Sequence, residues 1–191
     1  MIVVYTAIVG DGDDLRPPLC DQPGDTRLVC FTDREFRRPG PWDVRPLHKS
    51  VRDNRRTARW HKLNSHLLFP QAEATVWVDG SMQLKVPAAR LVEEGLGGHN
   101  VLAAFRHPDR DCVYAEHLAC LRFRKDHPAP MQRQMDHYKF LGYPPHNGLA
   151  ETGCVVRTPG AAEFEREWWA LLDRFSHRDQ RGFDFAAWRL K

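Results

Sequence analysis

Three short runs constrain the fold of this chain more than any other feature. Ile2–Val9, Arg27–Thr32 and Ala74–Val78 are nearly continuous in apolar or β-branched residues. They fall well short of the roughly 18 residues of a membrane span, and their uninterrupted character suits strands covered on both faces. Asn100–Phe105 and Leu149–Arg157 are two further strand candidates. Helical stretches alternate with them: Val51–Leu68, Pro87–Glu94, Asp111–Arg124, Pro130–Leu141, Pro159–Phe175 and Asp179–Leu190. This alternation predicts an α/β fold with a central sheet flanked by helices. The segments Arg34–Pro46 and Gly142–Gly148 carry Pro, Gly and Arg and read as loops.

The helical reading can be checked by spacing. Phe164, Trp168, Leu171 and Phe175 recur at i, i+4, i+7 and i+11, one apolar stripe. Thr158-Pro159-Gly160 before it reads as a helix entry with Pro in the first turn. The 191 residues suffice for one domain with a real core, so a single domain over 1–191 is expected. Six Trp and ten Phe supply bulky core and ligand-wall material.

Charge narrows the partners. Lys and Arg number 28 against 25 Asp and Glu, a net +3, too mild for nucleic acid as the expected partner. Clustered arginines would still suit a small anion. The five Cys (Cys20, Cys30, Cys112, Cys120, Cys154) are widely spaced with no CxxC, which argues for reduced thiols. The apolar start lacks a basic flank and runs into Asp11, Asp13 and Asp14, so it reads as a strand rather than a signal peptide. A cytoplasmic protein with no membrane span is the expectation.

Five groups of residues point to chemistry. In Trp77-Val78-Asp79-Gly80-Ser81 an apolar strand delivers a carboxylate at its end, and Gly80 lets the backbone approach a ligand closely. Such an Asp could hold Mn²⁺ or Mg²⁺ bridging a diphosphate, with the Ser81 hydroxyl as a second ligand. An Asp-Gly hairpin turn explains the same letters equally well. Along Val51–Leu68, Arg52, Arg55, Arg59, Lys62 and His66 form one basic stripe, with Trp60, Leu63 and Leu67 on another face. A basic helix face is usually just solvated. Five bases aligned without an interspersed Glu are less ordinary, and Arg suits bidentate phosphate recognition. Glu151 sits beside a Gly- and Pro-rich loop, as an ion-pair partner or as a general base. Asp179 opens the last helix, either as a cap or as a reacting carboxylate at a helix start. His107, Arg110, Tyr114 and Glu116 follow a strand, with Glu116 placed to orient an arginine. The chain has no GxxxxGKS, GxGxxG, GxSxG or HExxH pattern, which sets aside the common kinases, dehydrogenases, esterases and zinc peptidases.

Taken in order, these residues resemble the TOD/MUCI glycosyltransferase-like domain family. The resemblance runs through Tyr5-Thr6-Ala7-Ile8-Val9-Gly10 with Asp13-Asp14-Leu15, then Cys30-Phe31-Thr32-Asp33, Arg55-Arg56-Thr57-Ala58-Arg59 with Lys62, and Trp77–Ser81. It continues in His107–Cys112, Glu116, Gly148–Glu151, Trp168-Trp169 and Arg178-Asp179-Gln180. It implies a GT-A-like nucleotide-diphospho-sugar transferase fold. Tyr5, Thr6 and Ala7 would line the nucleotide, Asp33 would lie near base or ribose, and Arg55, Arg59 and Lys62 would face the phosphates. Asp79, with Gly80 and Ser81, would stand where related transferases carry a DxD metal motif; Ser81 departs from that pattern. His107, Arg110, Trp169 and Gln180 would contact substrate, and Asp179 or Glu151 would act on the reacting groups. The resemblance also implies a compact chain with no stalk, anchor or accessory domain.

The expected activity is therefore glycosyl transfer from a nucleotide diphosphate sugar, UDP-linked by first expectation. The acceptor would be a hydroxyl on a glycan, a lipid or a small molecule. Two rivals stand beside it: a nucleotide-sugar or glycan-binding protein without catalysis, and a nucleotidyltransferase, which normally needs two or more metal carboxylates.

Overall fold

The computed structural model describes residues 1–22, 24–97 and 99–191. In chain order the elements are β1 (Ile2–Ile8), β2 (Thr26–Thr32), β3 (Asp43–Pro46), α1 (Asn54–Lys62), α2 (Ser65–Leu68), β4 (Ala74–Val78), α3 (Ala88–Leu96) and β5 (Leu102–Arg106). Then follow α4 (Val113–Arg122), α5 (Pro128–Phe140), β6 (Ala150–Arg157), a 3₁₀ turn at Pro159–Ala161, α6 (Ala162–Arg174) and α7 (Gln180–Arg189). The sheet order is β3-β2-β1-β4-β6-β5, with β1 parallel to β2 and β4, and β6 antiparallel to β4. The five expected strands are all present. β3 is additional: it lies inside Arg34–Pro46, expected as a loop, where only four residues pair with β2 at the sheet edge. Pro46 is tolerated there because an edge strand need not donate on its outer side.

The backbone forms two compact units, residues 1–104 with 153–165, and residues 105–152 with 166–191. In the first unit the alternation of β1 sends Val4 and Ile8 to one face, where they meet Leu28, Val76, Val78, Leu84 and Trp42. Each such fully buried aliphatic side chain contributes about 1.5–3 kcal/mol. The opposite face is aromatic: Tyr5 packs edge-on against Trp77 and Phe69, with centroids 5.2 and 5.1 Å apart. The second unit is built on aromatic contacts as well. Tyr138 stacks on Phe185 at 3.7 Å, Tyr143 meets the same ring edge-on, and Trp168 meets Phe183 edge-on. The apolar stripe Phe164, Trp168, Leu171 and Phe175 is buried throughout.

The expected helix over Val51–Leu68 is two helices. Asp53 caps α1 by accepting from the Arg56 amide at 2.8 Å. The helix stops at Lys62, because Asn64 folds its side-chain amide back onto the Trp60 carbonyl at 2.8 Å and takes a non-helical backbone. Arg52 thus lies before α1 and His66 belongs to α2, so the five-membered basic stripe is corrected to Arg55, Arg59 and Lys62.

Candidate functional site

The strand order reverses direction at β1: β2 and β3 extend to one side of it and β4 lies on the other. In open α/β sheets the crevice at the carboxyl ends of the two strands flanking such a reversal is where ligands bind. In the first unit those ends are Ile8-Val9-Gly10 and Val78-Asp79-Gly80.

Asp79 is the centre of this edge. Trp77 lies two residues back on the same face of β4, and its indole N–H donates to Asp79 Oδ1 at 2.6 Å. Arg59 Nη1 and Lys62 Nζ, one helical turn apart on α1, reach the same oxygen at 3.1 and 3.3 Å. Asp79 and Arg59 are about a quarter exposed, whereas Lys62 has no exposed surface. Arg55 is exposed at the start of the same helix. The hairpin-turn reading of Asp79-Gly80 is thereby narrowed: Met82 N does bond to Asp79 O at 2.8 Å, but the side chain is committed to three donors.

Gly80 stands at a close approach. A Cβ there would lie 3.1 Å from both the Cβ and Oδ2 of Asp13 and from Ile8 Cγ1, so the loop after β1 folds against the Asp79 turn. Gly10 has φ +66°, a left-handed conformation that favours glycine. Its amide donates to both oxygens of Asp33 at 2.9 and 3.2 Å. Asp33 therefore braces this loop. It also borders a cleft of about 360 Å³ at the carboxyl ends of β2 and β3, together with Arg34 and Arg45. A larger cleft, about 860 Å³, opens at the opposite ends of the same strands, beside Leu19, Cys20 and Thr26. The smaller cleft lies at the carboxyl ends of the strands, on the side where the Asp79 edge stands.

Tyr5, Thr6 and Ala7 are the residues expected to line the nucleotide. They are 0%, 2% and 7% exposed and stand behind the edge, within the sheet. The Tyr5 hydroxyl donates to the Lys62 carbonyl at 3.0 Å and accepts from Arg157 Nη2 at 2.6 Å, while Arg157 Nη1 donates to the same carbonyl at 2.6 Å. Burial drives the Tyr5 pKa well above its ordinary value. Arg157 is in turn paired with Glu165 at 2.7 Å, both at or below 1% exposure. Glu165 also accepts from the Ser65 and His66 amides at 3.2 and 3.0 Å, from the Ser65 hydroxyl at 2.5 Å, and contacts His66 Nδ1. Burial alone would raise the Glu165 pKa; Arg157, His66 and Ser65 outweigh it and hold the carboxyl at about 2. A buried ion pair and a tyrosine thus fix the last carbonyl of α1, and with it the lysine aimed at Asp79. Next to this group, burial pushes the Cys154 thiol up to about 11.

The fit of a divalent cation can be judged from the donor set. All three donors converge on one oxygen of Asp79, and position 81 offers an exposed hydroxyl in place of a carboxylate. Among the described residues no three His, Cys, Asp or Glu side chains come together as a metal-holding set. A 2+ ion placed about 5 Å from one of the two cations would be repelled by roughly 7 kcal/mol at an effective dielectric of about 20. The residues around Asp79 do not make a metal site.

In the second unit Asp179 is 4% exposed, and its Oδ2 accepts from the Thr152 hydroxyl at 2.8 Å. Its backbone carbonyl accepts from Trp168 Nε1 at 2.7 Å. Asp179 does not cap α7 with its side chain, so the capping role weighed for it is not used. Gln180 Nε2 donates to the Ala150 carbonyl at 2.9 Å, and Asp184 accepts from the Ala150 amide at 2.7 Å. The side chains at the start of α7 thereby bind the backbone where β6 begins. Strand alternation sends Glu151 to the face opposite Thr152, so Glu151 and Asp179 do not face one another across β6. Glu151 is half-buried, as is Trp169. Arg110 Nε donates to Glu116 at 2.7 Å, and its Nη2 lies 2.9 Å from His107 Nε2. His107 is 8% exposed and accepts from the Asp109 and Arg110 amides through Nδ1. Glu116 thus orients Arg110, and His107 organises the backbone of its own loop.

The sequence motifs contained Trp77 and Asp13 without a role for either, and sequence reasoning missed Arg157 and Glu165 as supports of the site. The i, i+2 spacing of Trp77 and Asp79 was a signal available in the sequence. So was an arginine closing the apolar run of β6.

With this geometry in view, the profile of the TOD1/MUCI70, glycosyltransferase-like domain matches residues 33–191. The chain belongs to the TOD1/MUCI70 family. A relative from Arabidopsis thaliana named as the probable hexosyltransferase MUCI70 is 29% identical over 210 residues, which cover 95% of this chain and 36% of the relative. This TOD1/MUCI70 chain therefore spans about a third of the length of that protein. Among solved structures, the apo form of the bifunctional glycosyltransferase WbbM superposes with a TM-score of 0.58 at 12% identity, over 97% of this chain and 36% of WbbM. The fold is the GT-A-like α/β architecture that the sequence resemblance implied. The motifs before residue 33, including Tyr5–Gly10, lie outside the profile match. Among the described residues no helix is long and apolar enough to cross a membrane.

Proposed function

We propose that this chain transfers a hexosyl group from a nucleotide diphosphate sugar, UDP-linked by first choice, to a hydroxyl acceptor. The observation that carries the proposal is the Asp79 constellation. A carboxylate at the carboxyl end of β4, beside the sheet's reversal point, is paired with Arg59 and Lys62 within 3.3 Å. Family membership and the hexosyltransferase relative support the same chemistry.

In the transfer the bond between the sugar's anomeric carbon and the phosphate oxygen breaks, and its electron pair passes to that oxygen. The acceptor oxygen forms the new bond to the carbon, and its proton leaves to a carboxylate and then to water. Arg55 and Arg59 meet the diphosphate, and Lys62, buried beside Asp79, adds its charge from behind them to stabilise what builds on the phosphates. Asp79, relieved of its cations by the phosphates, takes hydroxyls of the donor.

A second reading, a nucleotide-sugar-binding protein without turnover, is favoured by one observation: the carboxylate of Asp179 is buried and held by Thr152. One experiment separates the two. UDP release is measured over a panel of UDP-hexoses with mono- and disaccharide acceptors, alongside calorimetric binding of the same donors. Turnover that falls about a hundredfold or more in Asp79→Ala is expected. Tight donor binding with no turnover against any acceptor would favour the binding protein, and no binding of any nucleotide sugar would sink both.

A further inference from the structure

We infer that this chain binds and releases its nucleoside diphosphate without a divalent cation, because Arg59 and Lys62 occupy the place and do the work of a metal. The inference rests on the reading of the Asp79 edge as the donor site.

The argument begins with Asp79 itself. In a site built around a cation, the strand-end carboxylate is kept open for it. Here two fixed positive charges and an indole N–H already share Oδ1, at 3.1, 3.3 and 2.6 Å. A metal would have to join Asp79 against both cations, and the hydroxyl of Ser81 offers no compensating charge.

The second observation concerns how Lys62 is held. A surface lysine could swing aside for an incoming ion. Lys62 has no exposed surface, and its carbonyl is gripped by Tyr5 at 3.0 Å and Arg157 at 2.6 Å. Arg157 is itself anchored by Glu165 at 2.7 Å. This is an ammonium built into the wall of the site. A positioned cation with little freedom to relax serves a developing phosphate charge in the manner of a bound metal. When the anomeric carbon–oxygen bond breaks and the acceptor oxygen bonds to that carbon, the pair left on the phosphate oxygen lies in the field of the Arg59 guanidinium and of the buried Lys62 ammonium behind it. The guanidinium adds two parallel donors matched to phosphate oxygens.

Asp13 packs against the Asp79-Gly80 turn, so it is the natural control. The full chain is stripped with a chelator and titrated calorimetrically with UDP, GDP, CDP and ADP, then again in excess Mn²⁺. The expected result is the same affinity for the preferred diphosphate in both conditions. Arg59→Gln should weaken the diphosphate about tenfold to a hundredfold, the value of one charge-assisted hydrogen bond. It should leave the parent nucleoside unchanged, without rescue by Mn²⁺, and Arg59→Lys should recover part of the loss. Affinity that develops only with Mn²⁺ overturns the inference while leaving the transferase reading intact. If that dependence vanishes in Asp13→Ala, the metal role passes to Asp13. Failure of every nucleotide to bind, with and without Mn²⁺, overturns the donor-site reading itself.

Discussion

Replacing Glu165 with Gln tests the part of the structure on which the Asp79 edge depends. The carboxylate serves Arg157, Ser65 and His66 at once, and both members of the Arg157–Glu165 pair are at or below 1% exposure. Glutamine is nearly isosteric and keeps one acceptor, but it leaves the guanidinium of Arg157 without its counter-charge. Removing one partner of a buried ion pair costs about 3–5 kcal/mol. For a chain of this size, each kcal/mol is worth about 2–4 °C, so Tm should fall by roughly 6–20 °C. A second, independent signature follows from the depressed pKa. The folded carboxyl titrates at about 2 against an ordinary value of 4.5. The stability it contributes is therefore fully present above pH 4.5 and is lost as pH falls toward 2. The shift corresponds to about 3 kcal/mol. Urea unfolding followed by tryptophan fluorescence, at neutral pH and across the acid range, measures both. The wild-type chain should lose stability through that window, and Glu165→Gln should start lower and lose less. A neutral-pH cost below about 1 kcal/mol, the range of an exposed pair, or an unchanged acid slope would refute the account of a buried carboxylate fastening α1 and α2 to β6.

Gly80→Ala should destabilise by about 1–3 kcal/mol, the cost of forcing a methyl group into a packed space, because its Cβ would press on Asp13 and Ile8 at 3.1 Å; denaturant titration checks this. The cysteines should divide sharply toward iodoacetamide near neutral pH. Cys30 and Cys154 should stay unmodified in the folded chain, since burial pushes their thiols up to about 12 and about 11, while the half-exposed Cys20 should react first. Mass spectrometry of the alkylated protein reads the order, and early labelling of Cys154 would contradict the packing around β4 and β6.

The strands were legible because burial on both faces leaves no polar alternation to confuse the pattern, as in β1 and β4. Asp79 was legible because a carboxylate ending such a run is costly unless something uses it. β3 was not, since four residues at a sheet edge carry too little periodicity to separate from a loop. The break at Asn64 was hidden for a related reason. Helical spacing continues in register through Leu63 and Leu67, and what stops the helix is a side-chain amide competing for a backbone carbonyl. The partners of Lys62 were out of reach for a different reason: Tyr5 and Arg157 meet its carbonyl across sequence separations of 57 and 95 residues. Local patterns do not report such pairings. For the same reason the support that Tyr5 gives to the end of α1 did not show in the sequence.

The composition of the first unit from residues 1–104 and 153–165 has a consequence for how the protein is made. Asp79, Arg59 and Lys62 are all synthesised in the first half of the chain, yet the arginine and glutamate that secure them arrive only after 48 intervening residues, 105–152, have been translated. A nascent chain halted at residue 104 would hold the charged edge but not its fastening, with the inner side of β4 still unpaired by β6. Closing so long a loop is entropically slow. The charged edge therefore gains its fastening only once Arg157 and Glu165 have been made.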